Sequence, residues 1–146
     1  MKAKLICIAL CVLFQFSGNA QTSTGNLVGT WSGTVHGEPM TLTFFHNGLA
    51  SWQLGTMFNM GKGQLTFNGE TQKGSLLFEV EAQQDLLTID LIMYNPSSGS
   101  RFGFPCLAKF TDQNTLQFVV GKFKGERPKD LQNRIILTRK LGLQNE

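Results

Sequence analysis

The sequence predicts an all-β protein whose folded part is a single antiparallel up-and-down β-barrel of about eight to ten strands. Short runs of alternating apolar and polar residues recur along the chain, and Gly, Asn and Pro separate them. No stretch has the periodicity of a helix. Each run has one apolar face, which favours a closed sheet over an open sheet with exposed edges.

The first twenty residues have the pattern of a secretory signal peptide. Two lysines precede an apolar run from Leu5 to Phe16, and small residues at Gly18 and Ala20 suit cleavage after Ala20. The run is about twelve residues long, whereas a helix needs roughly 20 to cross a bilayer. We expect a signal peptide over 1–20, a barrel domain over 21–146, and a secreted or periplasmic protein without a membrane span.

Charge and cysteine content narrow the classes of function. The formal net charge is +3 at pH 7, and removal of the two leader lysines lowers it to +1. This balance favours neither nucleic acid nor an anionic membrane as a partner. Two of the three cysteines lie in the leader, which leaves Cys106 without a partner for an internal disulfide. Because Cys106 shares the parity of Phe102 and Phe104, we expect it to be buried as a small hydrophobic residue.

Nine runs are predicted as strands, and residues that favour turns separate most of them. In chain order the runs are Leu27–His36, Met40–Phe45, Leu49–Gly55, Gly63–Phe67, Ser75–Ala82, Leu86–Tyr94, Arg101–Phe110, Thr115–Val120 and Arg134–Leu141. The separating turns include Gly37-Glu38-Pro39, His46-Asn47-Gly48, Asn68-Gly69, Gln84-Asp85, Asn95-Pro96 and Asp112-Gln113-Asn114.

Alternation assigns the side chains of these strands to two faces, since successive residues point to opposite sides. The apolar face contains Trp31, Val35, Met40, Leu42, Phe44, Trp52, Leu54, Leu65, Phe67, Leu76, Phe78, Val80, Leu87, Ile89, Leu91, Phe102, Phe104, Leu116, Phe118, Ile135 and Leu137. Pairing Val35 with Met40, and Ala82 with Leu87, keeps this face continuous across both hairpins. Nine strands would make the last parallel to the first, so an antiparallel ring requires that one of them be short, merged or absent.

The stretch "LVGTW" at the start of the first strand resembles the lipocalin and calycin signature, in which a tryptophan after Gly-x closes one end of the barrel against a basic residue from a late strand. The segments "FPCLAKFTDQNTLQFVV" and "GERPKDLQNRIILTRK" look like parts of small secreted bacterial lipocalin-like domains. The resemblance implies structural roles for Gly29 and Trp31. Arg139 has the parity needed to pack on Trp31, and Arg127 is the alternative partner.

No metal, cofactor or catalytic site is predicted. His36 and His46 flank the second strand and would be roughly 23 Å apart. The Gly-x-Trp-x-Gly pattern also resembles haem-binding nitrobindin-type barrels, but those use a late histidine and none follows His46. Glu79 and Asp90 are expected opposite each other on the outer face, where a carboxylate pair suits acid–base chemistry or a cation. Without a third ligand or a cleft, a solvated face is the preferred interpretation, and we predict a non-enzymatic protein.

The segment "GTMFNMGKG" is the main candidate for binding. Met57, Phe58 and Met60 are apolar residues in a predicted connection flanked by glycines, and flexible methionines suit varied apolar ligands. Together with Met40 and Trp52 they predict a site for a small apolar or amphipathic molecule at the barrel mouth. The alternative is that the segment folds inward as a plug.

A second class of function remains open from the sequence. Leu77, Leu86, Ile92 and Tyr94 are apolar residues assigned to the outer face of neighbouring strands. An apolar outer patch is typical of a protein-binding module, such as a protease inhibitor or an envelope-interaction domain.

Overall fold

The computed structural model describes residues 24–61 and 63–142, and regular structure within them is almost entirely β. One 3₁₀ turn, Thr24–Leu27, precedes the strands. The strands are β1 (Gly29–Val35), β2 (Glu38–Phe44), β3 (Leu49–Leu54), β4 (Phe58–Met60), β5 (Gln64–Phe67), β6 (Glu70–Lys73), β7 (Ser75–Gln83), β8 (Leu86–Asn95), β9 (Ser100–Asp112), β10 (Thr115–Val120) and β11 (Ile135–Arg139). The predicted signal peptide and its cleavage site after Ala20 lie outside the described residues. Within those residues, no helix has the length and apolarity needed to span a membrane.

Eight of the strands in the described ranges close into an antiparallel barrel. Their hydrogen-bonded order is β1–β2–β3–β7–β8–β9–β10–β11, and β11 pairs back with β1 through Trp31 and Arg139. The neighbours in this ring are all antiparallel. An even strand number permits this closure. The predicted all-β antiparallel barrel is confirmed.

Strand β3 divides between two neighbours. Its first half pairs with β7 at Leu49 and Ala50, and its second half pairs with β4, where Trp52 is opposite Met60. Strands β4, β5 and β6 continue from there as a three-stranded extension, which we call the flap. The predicted strand Gly63–Phe67 is therefore present as β5 but stands outside the ring, which resolves the odd strand count.

The prediction that "GTMFNMGKG" is only a connection is wrong, because it contains β4. Three residues are too few for alternation to identify a strand from sequence. β6 was also missed, since all four of its residues are exposed and none is apolar. The flap is thus the part of the fold that the sequence predicts least.

The predicted register of the β1–β2 hairpin is also wrong. Val35 pairs with Glu38, not with Met40. The connection is a two-residue turn in which His36 and Gly37 have positive φ angles of 51° and 86°, as in the tight turns that suit the twist of hairpins. The predicted pairing across the β7–β8 hairpin is confirmed.

One continuous apolar core occupies the barrel. Its largest fully buried side chains are Trp31, Phe44, Phe118, Leu27, Met40, Leu42, Met60, Leu76, Leu87, Ile89, Leu91 and Leu116. Most residues assigned to the apolar face are buried or packed against this core. Phe102 differs, since it is 39% exposed. The side chain of Phe67 lies outside what the structure describes.

Strand direction defines the two ends of the barrel. Because ring neighbours run antiparallel, the last residues of β1, β3, β8 and β10 lie at the same end as the first residues of β2, β7, β9 and β11. We call this the mouth end, and the flap joins the barrel here through the second half of β3. Trp31 and Arg139 lie at the opposite, closed end.

Candidate functional site

The closed end is organised around the indole of Trp31. Its Nε1–H donates to the Leu27 carbonyl at 2.8 Å, and the Arg139 guanidinium carbon lies 4.3 Å from the ring centroid. Arg139 also donates to the carbonyls of Asn26 and Val28, at 2.5 and 2.8 Å. This arginine therefore joins the segment before β1 to the end of β11.

Two glycines permit this closure. Gly29 has a φ of 133°, and a Cβ there would lie 2.6 Å from Nη1 of Arg139. At Gly33, a Cβ would lie 2.5 Å from the Ile136 carbonyl oxygen of β11. The Gly-x-Trp-x-Gly spacing thus leaves space on β1 for β11 and its arginine.

Arg127, the alternative partner for the tryptophan, lies elsewhere. Its guanidinium donates to the Ile89 and Cys106 carbonyls, at 3.1 and 2.7 Å, and forms an ion pair with Asp90 at 2.7 Å. These bonds attach the loop 121–134 to β8 and β9. Asp90 does lie opposite Glu79 across the β7–β8 hairpin, as predicted, but each carboxylate has its own arginine.

Glu79 pairs with Arg101 at 3.0 Å on an exposed part of the surface. Opposite charge beside each carboxylate offsets the repulsion between them. The pair is consistent with a structural role on a solvated face.

A cavity of about 450 Å³ lies between the flap and the mouth end of the barrel. Apolar side chains form most of its wall and come from four strands and the loop 121–134: Phe58, Met60, Leu65, Met93, Phe104 and Phe123. Exposed residues of β6, Glu70 to Gln72, form a polar side. We call this the flap cavity. An apolar wall with a polar side suits an amphipathic molecule.

A second cavity of about 400 Å³ opens among the strand ends of the barrel itself. It is lined by Val35, Met40, Trp52, Leu54, Val119, Val120, Gln132, Asn133 and Ile135. We call this the mouth cavity. Apart from two amides and the indole, its lining side chains are apolar.

Trp52 stands between the two cavities. It lines the mouth cavity, and its ring packs against Phe58 and Phe104, which line the flap cavity. The centroid distances are 5.2 Å to Phe58 and 5.3 Å to Phe104. This aromatic cluster forms a partition at the mouth end.

The five predicted ligand-contacting residues are divided between these places. Phe58 and Met60 line the flap cavity, whereas Met40 and Trp52 line the mouth cavity. Met57 lies in the turn before β4, is 47% exposed, and lines neither cavity. The structure therefore separates Met57 from the two residues with which it was grouped.

Sequence reasoning missed the cavity wall contributed by the loop 121–134. Phe123 packs against Phe104 and Phe102 with centroid distances of 5.1 and 6.2 Å, and Lys124 Nζ lies 3.7 Å above the Phe102 ring. A hydrogen bond from Lys124 N to the Gly103 carbonyl holds the loop on β9. The available signal is an apolar Phe123 between two lysines, in a segment that contains Pro and Gly.

Cys106 is fully buried, with its sulfur 3.3 Å from the Phe104 carbonyl oxygen. Burial raises the pKa of this thiol to about 12, which disfavours the nucleophilic thiolate. His36 and His46 lie in turns at opposite ends of β2. In residues 24–61 and 63–142, no group of three or more His, Cys, Asp or Glu side chains has an arrangement that would hold a metal ion.

The predicted outer patch is not strongly exposed. Leu77, Leu86, Ile92 and Tyr94 are each half-buried. Among the side chains that the structure describes, the large apolar ones that are exposed belong to Phe45, Met57, Phe102, Phe123, Ile136 and Leu141. The structure thus adds no observation in favour of a protein-binding patch on those four residues.

Comparisons with known proteins give little further information. No family model and no curated protein matches this chain. Among solved structures, this chain is similar to the crystal structure of Treponema pallidum Tp0751 (Pallilysin). The match covers 86% of this chain and 90% of the Tp0751 chain, at 11% sequence identity and a TM-score of 0.46.

Proposed function

We propose that this protein is a non-enzymatic, lipocalin-like binding protein, secreted or periplasmic, which holds a small apolar or amphipathic molecule at the barrel mouth. The observation that carries the proposal is the flap cavity, an apolar space of about 450 Å³ beside a packed core. Ligand sites in proteins have this size range and this mainly apolar lining. The proposed site lies under the flap, not under a loop.

Hydrogen bonds and strand pairing hold both walls of the flap cavity in place. The flap is attached to the ring by the β3–β4 pairing and by a hydrogen bond from Leu76 N to the Gly61 carbonyl, at 3.2 Å. The opposite wall is held by Arg127, which fixes the loop that carries Phe123. Both walls therefore have backbone anchors, as a preformed cavity requires.

Fluorescence titration with N-phenylnaphthylamine, a neutral apolar probe, tests the proposal on the chain that begins at Gln21. We expect saturable binding with enhanced emission. Met93→Trp adds bulk inside the flap cavity and should weaken binding by about tenfold or more, equivalent to about 1.4 kcal/mol.

Met57→Trp is the matched control, because it makes the same substitution at an exposed methionine that lines neither cavity. We expect its affinity to stay within about twofold of the parent, as for a change outside the site. Absence of binding to the parent, or equal losses in both variants, would contradict the proposed site.

A further inference from the structure

The wall of the flap cavity has a carboxylate but no cationic group among its described residues. The rings of Phe58, Phe104 and Phe123 form part of this wall, and Glu70 is the one described lining residue that carries a charge. No ion pair within residues 24–61 and 63–142 involves Glu70. The charge on the described wall is therefore negative and has no opposite charge beside it in those residues.

The strand register places the Glu70 side chain on the cavity side of the flap. Gln72 lies directly opposite Leu65, which is buried and lines the cavity, and side chains that are directly opposite share one face of a sheet. Glu70 is two residues from Gln72 and therefore points to the same face. Thr71 points to the other face, where its hydroxyl bonds that of Thr66 at 2.9 Å.

The aromatic wall already receives a cation from the chain itself. Lys124 Nζ lies 3.7 Å from the centroid of the Phe102 ring and 5.3 Å from that of the Phe123 ring. Phe123 lines the cavity, whereas Lys124 is not among the lining residues. Because the faces of aromatic rings attract cations, a wall of phenylalanine rings with a carboxylate at its polar side suits a positively charged group.

We infer that the ligand of the flap cavity is an amphiphile with a cationic group, such as a substituted ammonium, which lies between the Glu70 carboxylate and the phenylalanine rings. One strand separates Glu70 from Phe58, roughly 10 Å between their Cα atoms, so a single molecule can reach both. An anionic group is disfavoured, since like charge beside Glu70 is repulsive. This inference rests on the proposed function and specifies the charge of its ligand.

Three naphthalene compounds with one body and different head groups provide the test. Naphthylmethyltrimethylammonium is cationic, naphthylmethanesulfonate is anionic, and neopentylnaphthalene is the neutral carbon isostere of the cation. Each competes with N-phenylnaphthylamine for the chain that begins at Gln21. The parent should bind the cation about tenfold more tightly than the sulfonate. Since that chain has a net positive charge, its overall charge does not produce this preference.

Glu70→Gln removes the charge and keeps the shape of the side chain. It should weaken binding of the cation by about three- to fivefold and leave the affinity for neopentylnaphthalene within about twofold of the parent. Glu81→Gln is the matched control, because it makes the same substitution at an exposed glutamate of β7 that lines neither cavity. It should leave all three affinities within about twofold of the parent.

Lys124→Gln gives a second readout, which does not depend on any change at Glu70. The Lys124 ammonium lies beside the Phe123 ring and repels a cation bound in the cavity. Its removal should raise the affinity for the cation by about twofold or more and lower the affinity for the sulfonate.

The outcomes separate this inference from the proposed function. The cation inference is overturned if the parent binds the sulfonate as tightly as the cation, or if Glu70→Gln and Glu81→Gln weaken the cation equally. An unchanged or lower affinity for the cation in Lys124→Gln would also overturn it. In each case, binding of N-phenylnaphthylamine to the parent leaves the apolar site standing. If N-phenylnaphthylamine does not bind, the inference and the proposed function are both overturned.

Discussion

At the closed end, Trp31 has a guanidinium on its ring face and a carbonyl on its N–H. Arg139 packs on the indole with its charged group and bonds to the segment before β1. The contact combines burial of a large aromatic side chain with a cation–π interaction. It needs Gly29, because a Cβ at that position would meet the guanidinium.

The contact predicts energetic coupling between the two residues. Trp31→Ala should lower the free energy of unfolding by about 3–5 kcal/mol, as truncation of a buried tryptophan does. A double-mutant cycle with Arg139→Ala should give a coupling energy of about 0.5–2 kcal/mol. Denaturant unfolding of the four proteins measures it. Coupling near zero would mean that the two side chains stabilise the closed end independently.

Burial of Cys106 predicts low thiol reactivity. At about pH 8 the folded protein should react very slowly with a disulfide reagent, because burial keeps the thiol protonated, and it should react rapidly once unfolded. The pKa is 9.0 ordinarily and about 12 in the folded chain. The unfolded chain therefore loses its proton first, so this residue's contribution to stability is intact below pH 9.0 and decreases as the pH rises toward 12. Cys106→Ala should remove that part of the pH dependence.

At the scale of elements, the flap and the loop 121–134 form the two sides of the proposed site. The flap leaves the ring at β3 and returns to it at Gly74, the residue before β7. Gly74 is buried, and a Cβ there would lie 2.5 Å from Leu65 Cδ1 and 2.8 Å from the Tyr94 carbonyl oxygen. The glycine thus allows close packing between the flap and β8.

Gly74→Ala should therefore shift Leu65 in the cavity wall. We expect a loss of about 1–3 kcal/mol in the free energy of unfolding, as for other overpacked sites, together with weaker binding of N-phenylnaphthylamine. Gly61→Ala is the control in the same flap, because its Cβ would make an ordinary 3.7 Å contact with Ser51. Denaturant unfolding and probe titration compare the variants. Equal losses of stability and probe affinity in Gly74→Ala and Gly61→Ala would show that the absence of a Cβ at Gly74 is not what allows the flap to pack on β8.

Arg127 gives a corresponding prediction for the opposite wall. Arg127→Lys keeps the charge but cannot reproduce the bonds to two carbonyls and Asp90. We expect a stability loss of about 1–2 kcal/mol and weaker probe binding, because Phe123 is carried by the same loop. Arg101→Lys, in the exposed pair with Glu79, should cost under about 0.5 kcal/mol. If Arg127→Lys kept the probe affinity of the parent, the bonds of Arg127 would not be needed to hold the wall of the flap cavity.

For the whole molecule, the sequence predicts the ring far better than the site. Ring strands have alternating apolar residues because one face is buried, and this pattern is visible without a structure. The alternation of apolar and polar residues does not reveal β4, which has three residues, or β6, which has no apolar residue. The flap cavity depends on the division of β3 between β7 and β4, which is a long-range pairing without a local sequence pattern. Phe123 lines the flap cavity because Arg127 attaches the loop 121–134 to β8 and β9. That attachment is also a long-range contact, which the local sequence does not show.

The central claim is that an apolar molecule is held at the mouth end, under the flap. Four of the five methionines lie in the described residues and report on different places. Met60 and Met93 line the flap cavity, Met40 lines the mouth cavity, and Met57 lines neither. Isotope-labelled methionine methyl groups therefore provide two signals for the flap cavity, one for the mouth cavity and one for the surface outside both.

The most direct measurement is the methyl spectrum of this protein during titration with N-phenylnaphthylamine. Ring currents of a bound probe should shift the Met60 and Met93 signals together, with one dissociation constant, and leave the Met57 signal unmoved. A titration in which Met57 alone shifts, or in which no methyl signal moves, would contradict the account.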